Sequence, residues 1–378
     1  MKRFGICLIF FLLSACLTIQ VMAEEVLTWD DCVKETKQNH PDLISAHEEL
    51  NQAKANKAIT GSNFLPQISS GLSGKTSKTT ARVTTDTYSY DITGKQLLFD
   101  GFKTSYDIAS AKENIKSAQY SYEVTSSNVR LRLRTAFVEL LRVQDLLNIT
   151  EDIAKRRNKN VELVKLRYEA GREHKGSLLT AQANLAQAEF EVAQAKRNSS
   201  LARRRLTKEL GRMKLAPIRV KGDFEVKYSD RGRLDFERLS ESTPFLQELI
   251  AKKEATRFGL KSAKADFFPE VYANASAGRT DSHWPPRKEE WSAGASLSFP
   301  IFEGGSRIAE VSKTKAALNQ AQADERSGRD GVILTLEETW KELQDAMDEV
   351  EVQQKFLEAA QERAKITQAQ YSTGLISF

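Results

Sequence analysis

Two long stretches of the chain carry apolar residues at alternating steps of three and four positions, which is the spacing of a coiled-coil seam. The first runs from Phe102 to Tyr168 without a proline or a glycine, and a helix of about 66 residues is about 100 Å long. Its seam consists of Val129, Leu133, Ala136, Leu140, Val143 and Leu147, and it returns at Val161, Val164 and Tyr168. The second alternates leucine with alanine through Leu178, Ala181, Leu185, Ala188, Val192, Ala195, Ser199, Ala202 and Leu206. Only Glu169–Arg172 separates the two stretches, so they predict an antiparallel helical hairpin.

Shorter stretches place apolar side chains at every second position, which predicts β-strands. One alternates at Tyr88, Tyr90 and Ile92, and another at Trp291, Ala293, Ala295, Leu297, Phe299 and Ile301. We place helix-to-strand switches at Pro66 and Pro269, and polar turns at residues 74–87 and 279–290. Alternating segments of about ten residues are typical of membrane barrels. A half-buried hairpin of a water-soluble protein is the alternative interpretation.

The chain repeats itself at a constant offset of 203 positions. The matched pairs are Pro41 and Pro244, Leu43 and Leu246, Phe64 and Phe267, Pro66 and Pro269, Phe99 and Phe302, Gly101 and Gly304, Leu133 and Leu336, Glu139 and Glu342, Leu140 and Leu343, Tyr168 and Tyr371, and Gly171 and Gly374. An offset that holds without a gap predicts two tandem units with the same order of elements. Each unit contains a helix of moderate length, two strands and a very long helix.

The repeat divides the chain into three parts after the N-terminal signal. These are residues 24–213 (first repeat), 214–234 (linker) and 235–378 (second repeat). Helices of moderate length are predicted at about 28–61 and 235–265, with Pro41 and Pro244 at the first position of a restarted helix. Phe378 is the counterpart of Lys175, so the helix within Gly176–Met213 has no counterpart. We therefore expect that the second repeat is incomplete, that its final helix is missing, and that the sequence is truncated.

Residues 1–23 have the features of a secretory signal peptide. Lys2 and Arg3 precede an apolar run of 14 residues, which is too short to span a bilayer, and a small-residue cleavage site ends at Ala23. The alternative is a lipoprotein signal that ends at residue 15, because Leu13-Ser14-Ala15-Cys16 resembles a lipobox in which Cys16 becomes the lipidated first residue. Cleavage after Ala23 leaves Cys32 as the single cysteine, and we expect it to be a core residue without a disulfide partner.

Composition and charge exclude several classes of protein. A mean hydropathy of -0.47 excludes a helical membrane protein, and 40% apolar residues exclude a disordered chain. The 56 basic and 51 acidic residues give a net charge of +5 and are interspersed, so no nucleic-acid partner is predicted. The four histidines match no metal-ligand spacing, and no nucleophile elbow or paired-cysteine motif is present. We predict no enzyme activity and no catalytic, metal-binding or cofactor-binding residues.

Physics constrains how such strands could sit in a membrane. One chain offers four candidate strands, which cannot close a barrel, and open strand edges are not tolerated in lipid. If the strands lie in a membrane, several chains must pool them. The long helices, polar away from their seams, would then project into water as a helical tube.

The duplicated order resembles the TolC-like outer-membrane efflux family, and the resemblance covers the chain from about Leu27 to its end. It rests on the signal peptide and on Asn39-His40-Pro41-Asp42-Leu43, Phe64-Leu65-Pro66, Leu98-Phe99-Asp100-Gly101, Tyr168-Glu169-Ala170-Gly171, and the ladder of Leu178, Ala181, Leu185 and Ala188. It implies a mainly α-helical protein with a β membrane portion. Three copies would form a homotrimer with a twelve-stranded β-barrel in outer-membrane lipid, continued by an α-helical coiled-coil tunnel in the periplasm.

The resemblance also implies a function and its partners. The protein would be a passive exit duct of a tripartite efflux or type I secretion system, gated by a periplasmic helical iris. It would dock a periplasmic adaptor (membrane fusion) protein and receive cargo from an inner-membrane pump. In this family the docking site lies at the helical tips. Here these correspond to Tyr168, Ala170, Gly171 and Arg172 in the first repeat, and to Tyr371, Thr373, Gly374 and Leu375 in the second.

Two further interpretations concern the membrane boundary and an alternative function. Tyr272 and Trp291 are predicted to be aromatic anchors at the lipid interface. The alternative to a duct is a periplasmic coiled-coil scaffold or adaptor without a pore. The cargo and the pump class do not follow from the sequence.

Overall fold

Helices make up most of the protein in the computed structural model, which describes residues 25–78, 84–224 and 234–372. The elements are β1 (Glu25–Leu27), α1 (Trp29–Asn39), α2 (Pro41–Ser62), β2 (Gln67–Lys78), β3 (Thr84–Phe99), α3 (Lys103–Glu169), α4 (Lys175–Glu209), β4 (Ile218–Val220), α5 (Phe236–Glu241), α6 (Pro244–Ala265), β5 (Glu270–Asp281), β6 (Lys288–Ser298) and α7 (Ser306–Ser372). A pair of strands followed by a helix of 67 residues occurs twice, which confirms the duplicated architecture.

The chain forms two compact units. The first comprises Met1–Ser45 and Thr125–Val226, and the second comprises Ala46–Val124 and Lys227–Phe378. Helices α2 and α3 each contribute residues to both.

The core of the first unit is built on the predicted helical seam. Leu133 and Leu140 of α3 are fully buried in one cluster with Leu206 of α4, which confirms the antiparallel pairing of these helices. The predicted short strand of the linker is β4, and it pairs in parallel with β1. The side-chain amide of Gln144 in α3 holds β4 in place, because it donates to the Val220 carbonyl and accepts from the Val220 amide, each at 3.0 Å.

Cys32 lies in the same core, as expected. Its side chain is fully buried, and it is a free thiol. Burial, with a smaller contribution from nearby Glu35, raises the pKa of Cys32 to about 12. The thiolate is the reactive form of cysteine, so the native side chain is a small, inert core residue.

A charge network around the buried carboxylate of Glu209 joins three helices of the first unit. The Glu209 carboxylate at the end of α4 accepts from Nε of Arg132 at 3.2 Å and lies 3.4 Å from Nε2 of His40. Arg132 also bonds the carboxylate of Asp42. The Nδ1 atom of His40 accepts from the Asp42 amide at 3.1 Å, so its Nε2 carries the proton that points at Glu209. Burial alone would raise the pKa of Glu209, but hydrogen bonds from Arg132 and Lys208 outweigh it and lower that pKa.

The second unit contains a sheet of four strands in the order β2-β3-β5-β6, all neighbours antiparallel. Helix α6 packs on α7, where Lys253 pairs with Glu325 at 2.8 Å. At the junction of β3 and α3, Gly101 has a φ of +66°. A Cβ on this residue would lie 2.4 Å from Cβ of Phe268, so the close approach of two backbones requires glycine here.

The element boundaries match the sequence prediction in the helices and differ in the strands. Helix α2 begins at Pro41 and α6 begins at Pro244, as predicted. The predicted turns at 74–87 and 279–290 are too long, because β2 continues to Lys78, β3 starts at Thr84, and β5 and β6 also extend into the second turn. Residues in these segments are polar, so their alternation gave no strand signal. Among the described residues, the helices include none with the length and apolar character needed to cross a membrane.

Glu209→Gln should lower the free energy of unfolding by about 1–3 kcal/mol at pH 7, because it removes the carboxylate that Arg132 and His40 face. The folded-state pKa of Glu209 lies below the unfolded value of about 4.3, so its stabilisation is present above that pH and is lost as the pH falls through the folded pKa. The difference between variant and wild type should therefore shrink towards pH 3 in urea unfolding followed by circular dichroism. Glu151→Gln, which breaks the exposed pair with Lys196, is the control and should change stability by less than about 0.5 kcal/mol. An effect of Glu209→Gln that does not vary with pH would contradict this assignment.

Candidate functional site: the helical tip and the four-stranded sheet

The tip of the hairpin between α3 and α4 is a helix C-cap built on glycine. Gly171 has a φ of +69°, and its amide donates to the Tyr168 carbonyl at 2.9 Å. The amide of Arg172 donates to the Arg167 carbonyl at 2.8 Å, which completes a Schellman motif. An added Cβ at Gly171 would meet no atom within 4 Å, so the turn requires glycine for its backbone conformation alone.

Histidine begins the returning helix. The Nδ1 atom of His174, the N-cap of α4, accepts from the Ser177 amide at 3.2 Å. The Ser177 hydroxyl donates to the Glu173 carboxylate at 2.8 Å, and this hydrogen bond lowers the pKa of Glu173. Sequence reasoning did not identify this cap. Polar side chains, rather than apolar packing, therefore fix the geometry of the tip.

Apolar side chains are exposed around this turn. The exposed fraction is 64% for Leu166, 39% for Tyr168 and 55% for Leu179. Tyr371, the corresponding residue of the second repeat, lies near the end of α7. Thr373, Gly374 and Leu375 lie outside the described residues, as does Cys16. The docking role predicted for both tips stays a prediction.

The two faces of the four-stranded sheet differ in composition, although the more apolar face also includes Ser70, Gln96 and the Arg279–Glu289 pair. Strand register places apolar residues together on one face: Ile68, Leu72, Tyr90, Ile92, Ala273, Ala275, Ala277, Trp291, Ala293, Ala295 and Leu297. The opposite face carries hydroxyl pairs across neighbouring strands: Ser69 with Thr93 at 2.7 Å, Ser73 with Ser89 at 2.8 Å, and Ser276 with Ser292 at 2.9 Å. Exposed apolar area of this extent marks a surface that contacts lipid or another protein.

Tyr272 and Trp291 lie on opposite faces of this sheet, so one lipid environment cannot serve both. Trp291 is 81% exposed on the apolar face, and its position at a lipid interface stays a prediction. Tyr272 lies on the polar face, where its hydroxyl donates to Glu270 at 3.1 Å. The lipid-interface interpretation of Tyr272 also stays a prediction. Its place on the polar face follows from the alternation of Tyr272, Asn274 and Ser276 with three alanines along β5.

A polar cavity of about 240 Å³ lies where the sheet joins helix α3. It is lined by Asn63, Leu65, Gln67, Lys95, Leu97, Asp100, Lys103, Thr104, Asp107, Glu270 and Tyr272. The ammonium group of Lys95 lies 3.8 Å from the centroid of the Tyr272 ring. Sequence reasoning missed this cluster, because its members come from four separate elements and no motif connects them.

Known proteins are similar to this chain along most of its length. The family model described as "Outer membrane efflux protein" matches residues 32–212 and 237–378. The outer membrane efflux protein BepC of Brucella suis is 23% identical over 350 residues, which are 91% of this chain and 75% of BepC. The alkaline protease secretion protein AprF of Pseudomonas aeruginosa is 22% identical over 311 residues, which are 76% of this chain and 63% of AprF. The crystal structure of CusC superposes with a TM-score of 0.80 at 16% identity, covering 92% of this chain and 83% of CusC.

Gly171→Ala should open the tip locally, because a residue with a Cβ pays about 1 kcal/mol or more for a left-handed backbone. Hydrogen exchange of the amides at 170–172 should therefore accelerate about fivefold. Gly171→Asn is the matched variant and should accelerate exchange less, since asparagine tolerates this conformation. Gly259→Ala, in the interior of α6 where an added Cβ meets no atom within 4 Å, is the control and should leave exchange at the tip unchanged. Equal exchange in wild type and Gly171→Ala would show that backbone strain does not govern the tip.

Proposed function

The chain belongs to the outer membrane efflux protein family, and on this basis we propose that it is the exit duct of a tripartite export system. In this proposal its helical tips dock a periplasmic adaptor protein, and an inner-membrane pump supplies the cargo. The duct itself carries out no chemistry. Opening and closing of the helical tunnel, driven by the partners, controls passage.

Family membership establishes the class of protein. It is an outer-membrane efflux channel that extends into the periplasm, and members of the family form trimeric channels. The alternative of a poreless periplasmic scaffold is set aside for this reason. The boundaries of the repeats at 24–213 and 235–378 stay proposals.

One observation carries the proposal for the sheet: one face gathers most of the apolar residues of its four strands, and the other carries cross-strand pairs of serine and threonine hydroxyls. A strand that lies between lipid and a water-filled lumen needs this alternation. The apolar face of Ile68, Ile92 and Trp291 would contact lipid. The face of paired serine and threonine hydroxyls would line the lumen.

The tip supports a docking role by its exposure and its fixed geometry. Tyr168 and Leu166 present apolar area to water, while the Schellman motif at Gly171 holds the turn in one conformation. Apolar area held by a preorganised backbone loses little entropy on binding. A partner that inserts its own helical hairpin between such tips would bury this area.

The faces of the sheet can be tested with two adjacent residues of β3. Ile92→Arg places a charge on the apolar face and should destabilise each membrane-inserted strand by about 2–4 kcal/mol. The heat-sensitive trimer should then be lost from the outer-membrane fraction on gels run without boiling. Thr93→Arg, on the opposite face, is the matched control and should leave the trimer in place. Similar behaviour of the two variants, or recovery of the wild type as a monomer without detergent, would refute the membrane role.

Docking at the tip can be tested with a photoreactive amino acid in cells that express a periplasmic adaptor protein together with this protein. Replacement of Tyr168 by benzoylphenylalanine should give a covalent product with the adaptor after illumination. The same replacement of Leu131, which is 66% exposed but far along α3 from the tip, is the control and should give none. Equal yields from both positions would contradict docking at the tip.

A further inference from the structure

We propose that the cavity at the base of the sheet binds alkylammonium cations, and that the ammonium group of Lys95 occupies the site as an internal substitute for them. This inference rests on the proposed function, and it assigns a chemical class of solute to the duct. The residues that carry it are Tyr272, Glu270, Asp107 and Lys95.

An aromatic ring and a carboxylate form the recognition element. Tyr272 is half-buried, and its hydroxyl donates to Glu270 at 3.1 Å, which fixes the ring. The ammonium of Lys95 lies 3.8 Å from the ring centroid. An aromatic face with a carboxylate beside it is the arrangement that proteins use to bind organic cations. The arrangement already holds a cation of that type, contributed by the protein.

The charges of the cavity favour a cation. Three carboxylates line it, from Asp100, Asp107 and Glu270, against the ammonium groups of Lys95 and Lys103. Asp100 accepts two bonds from Thr104, and Lys103 is held at 2.6 Å by Asp266, which lies outside the lining. Glu270 lies beside the ring that Lys95 covers, Asp107 lines the same cavity, and the carboxylates of the lining outnumber its ammonium groups by one.

Lys95 can leave the ring without an unfolding step. The residue is solvent-exposed, and its side chain is a flexible stem with a hydrated charge. A soluble cation must therefore compete with a tethered one of similar chemistry. Removal of the tethered cation should strengthen binding of the soluble one, whereas removal of the ring should abolish it.

The site is on the side of the sheet where a solute would pass. Tyr272 and Lys95 share the face that carries the hydroxyl pairs, as shown by the register of β3 and β5. If that face lines the lumen, a trimer contains three such sites at one level of the duct. Weak binding there would retain a cationic solute without blocking its exit.

The test is isothermal titration of detergent-solubilised protein with tetramethylammonium chloride, with sodium chloride at equal ionic strength as the blank. Lys95→Met should tighten binding about two- to fivefold. Lys75→Met removes a lysine from the same face in β2, away from the ring, and controls for net charge; it should change affinity by less than about 1.5-fold. Tyr272→Leu should abolish binding, and Tyr272→Phe, which keeps the ring, should retain most of it.

Two results would overturn the proposal: Lys95→Met that binds no more tightly than wild type, or Tyr272→Leu that binds as wild type does. Since Lys95→Met leaves the ring and the sheet intact, it keeps the test valid even if Tyr272→Leu fails to fold. Conductance in planar bilayers separates this proposal from the function on which it rests. A conducting protein without tetramethylammonium binding refutes the cation site alone, whereas a protein that binds but does not conduct refutes the duct alone.

Discussion

The strongest physical constraint on this structure is the hydrogen bonding of the two outer edges of its four-stranded sheet. Among the described residues, strands β2 and β6 each pair with one neighbour. Outward amide and carbonyl groups find no hydrogen-bond partner in lipid, where each unsatisfied group costs several kcal/mol. If the sheet lies in the membrane, as we propose, its edges require strands of other copies. Oligomerisation would then be a condition of membrane insertion, which agrees with the trimeric channels of the family.

In the first unit, the main interaction is apolar packing between helices. Leucine and alanine alternate along α4, so its backbone approaches α3 closely, and a cluster around Leu140 and Leu206 excludes water. The network of Glu209, Arg132 and His40 sits at the end of this seam, where three helices meet. The buried carboxylate of Glu209 is tolerated there because Arg132 and His40 are its partners.

Much of this architecture could be predicted because prolines and glycines are few in the chain and several of them mark the ends of helices. The limits of α3 follow from Gly101 and Gly171, and the starts of α2 and α6 follow from proline. The strands were underestimated because their ends within 74–87 and 279–290 are polar on both faces and give no hydrophobic period. The face of Tyr272 follows from its alternation with Ala273, whereas its partners in the neighbouring strands depend on register. The contact between Lys95 and Tyr272 could not be predicted, because it depends on how β3 pairs with β5.

Alternation at Ile92 and Thr93 has a consequence for folding. A shift of strand pairing by one residue would turn every side chain of that strand to the other surface, with serines in hydrocarbon and isoleucine in water. The two faces of the sheet would be exchanged, although every backbone hydrogen bond between the strands could still form. A hydrogen bond outside the ladder adds to the preference for the native pairing, because the side-chain amide of Gln96 donates at 2.8 Å to the carbonyl of Phe64, just before β2 begins. A hairpin shifted by one residue would lose this contact together with the match between apolar and polar positions.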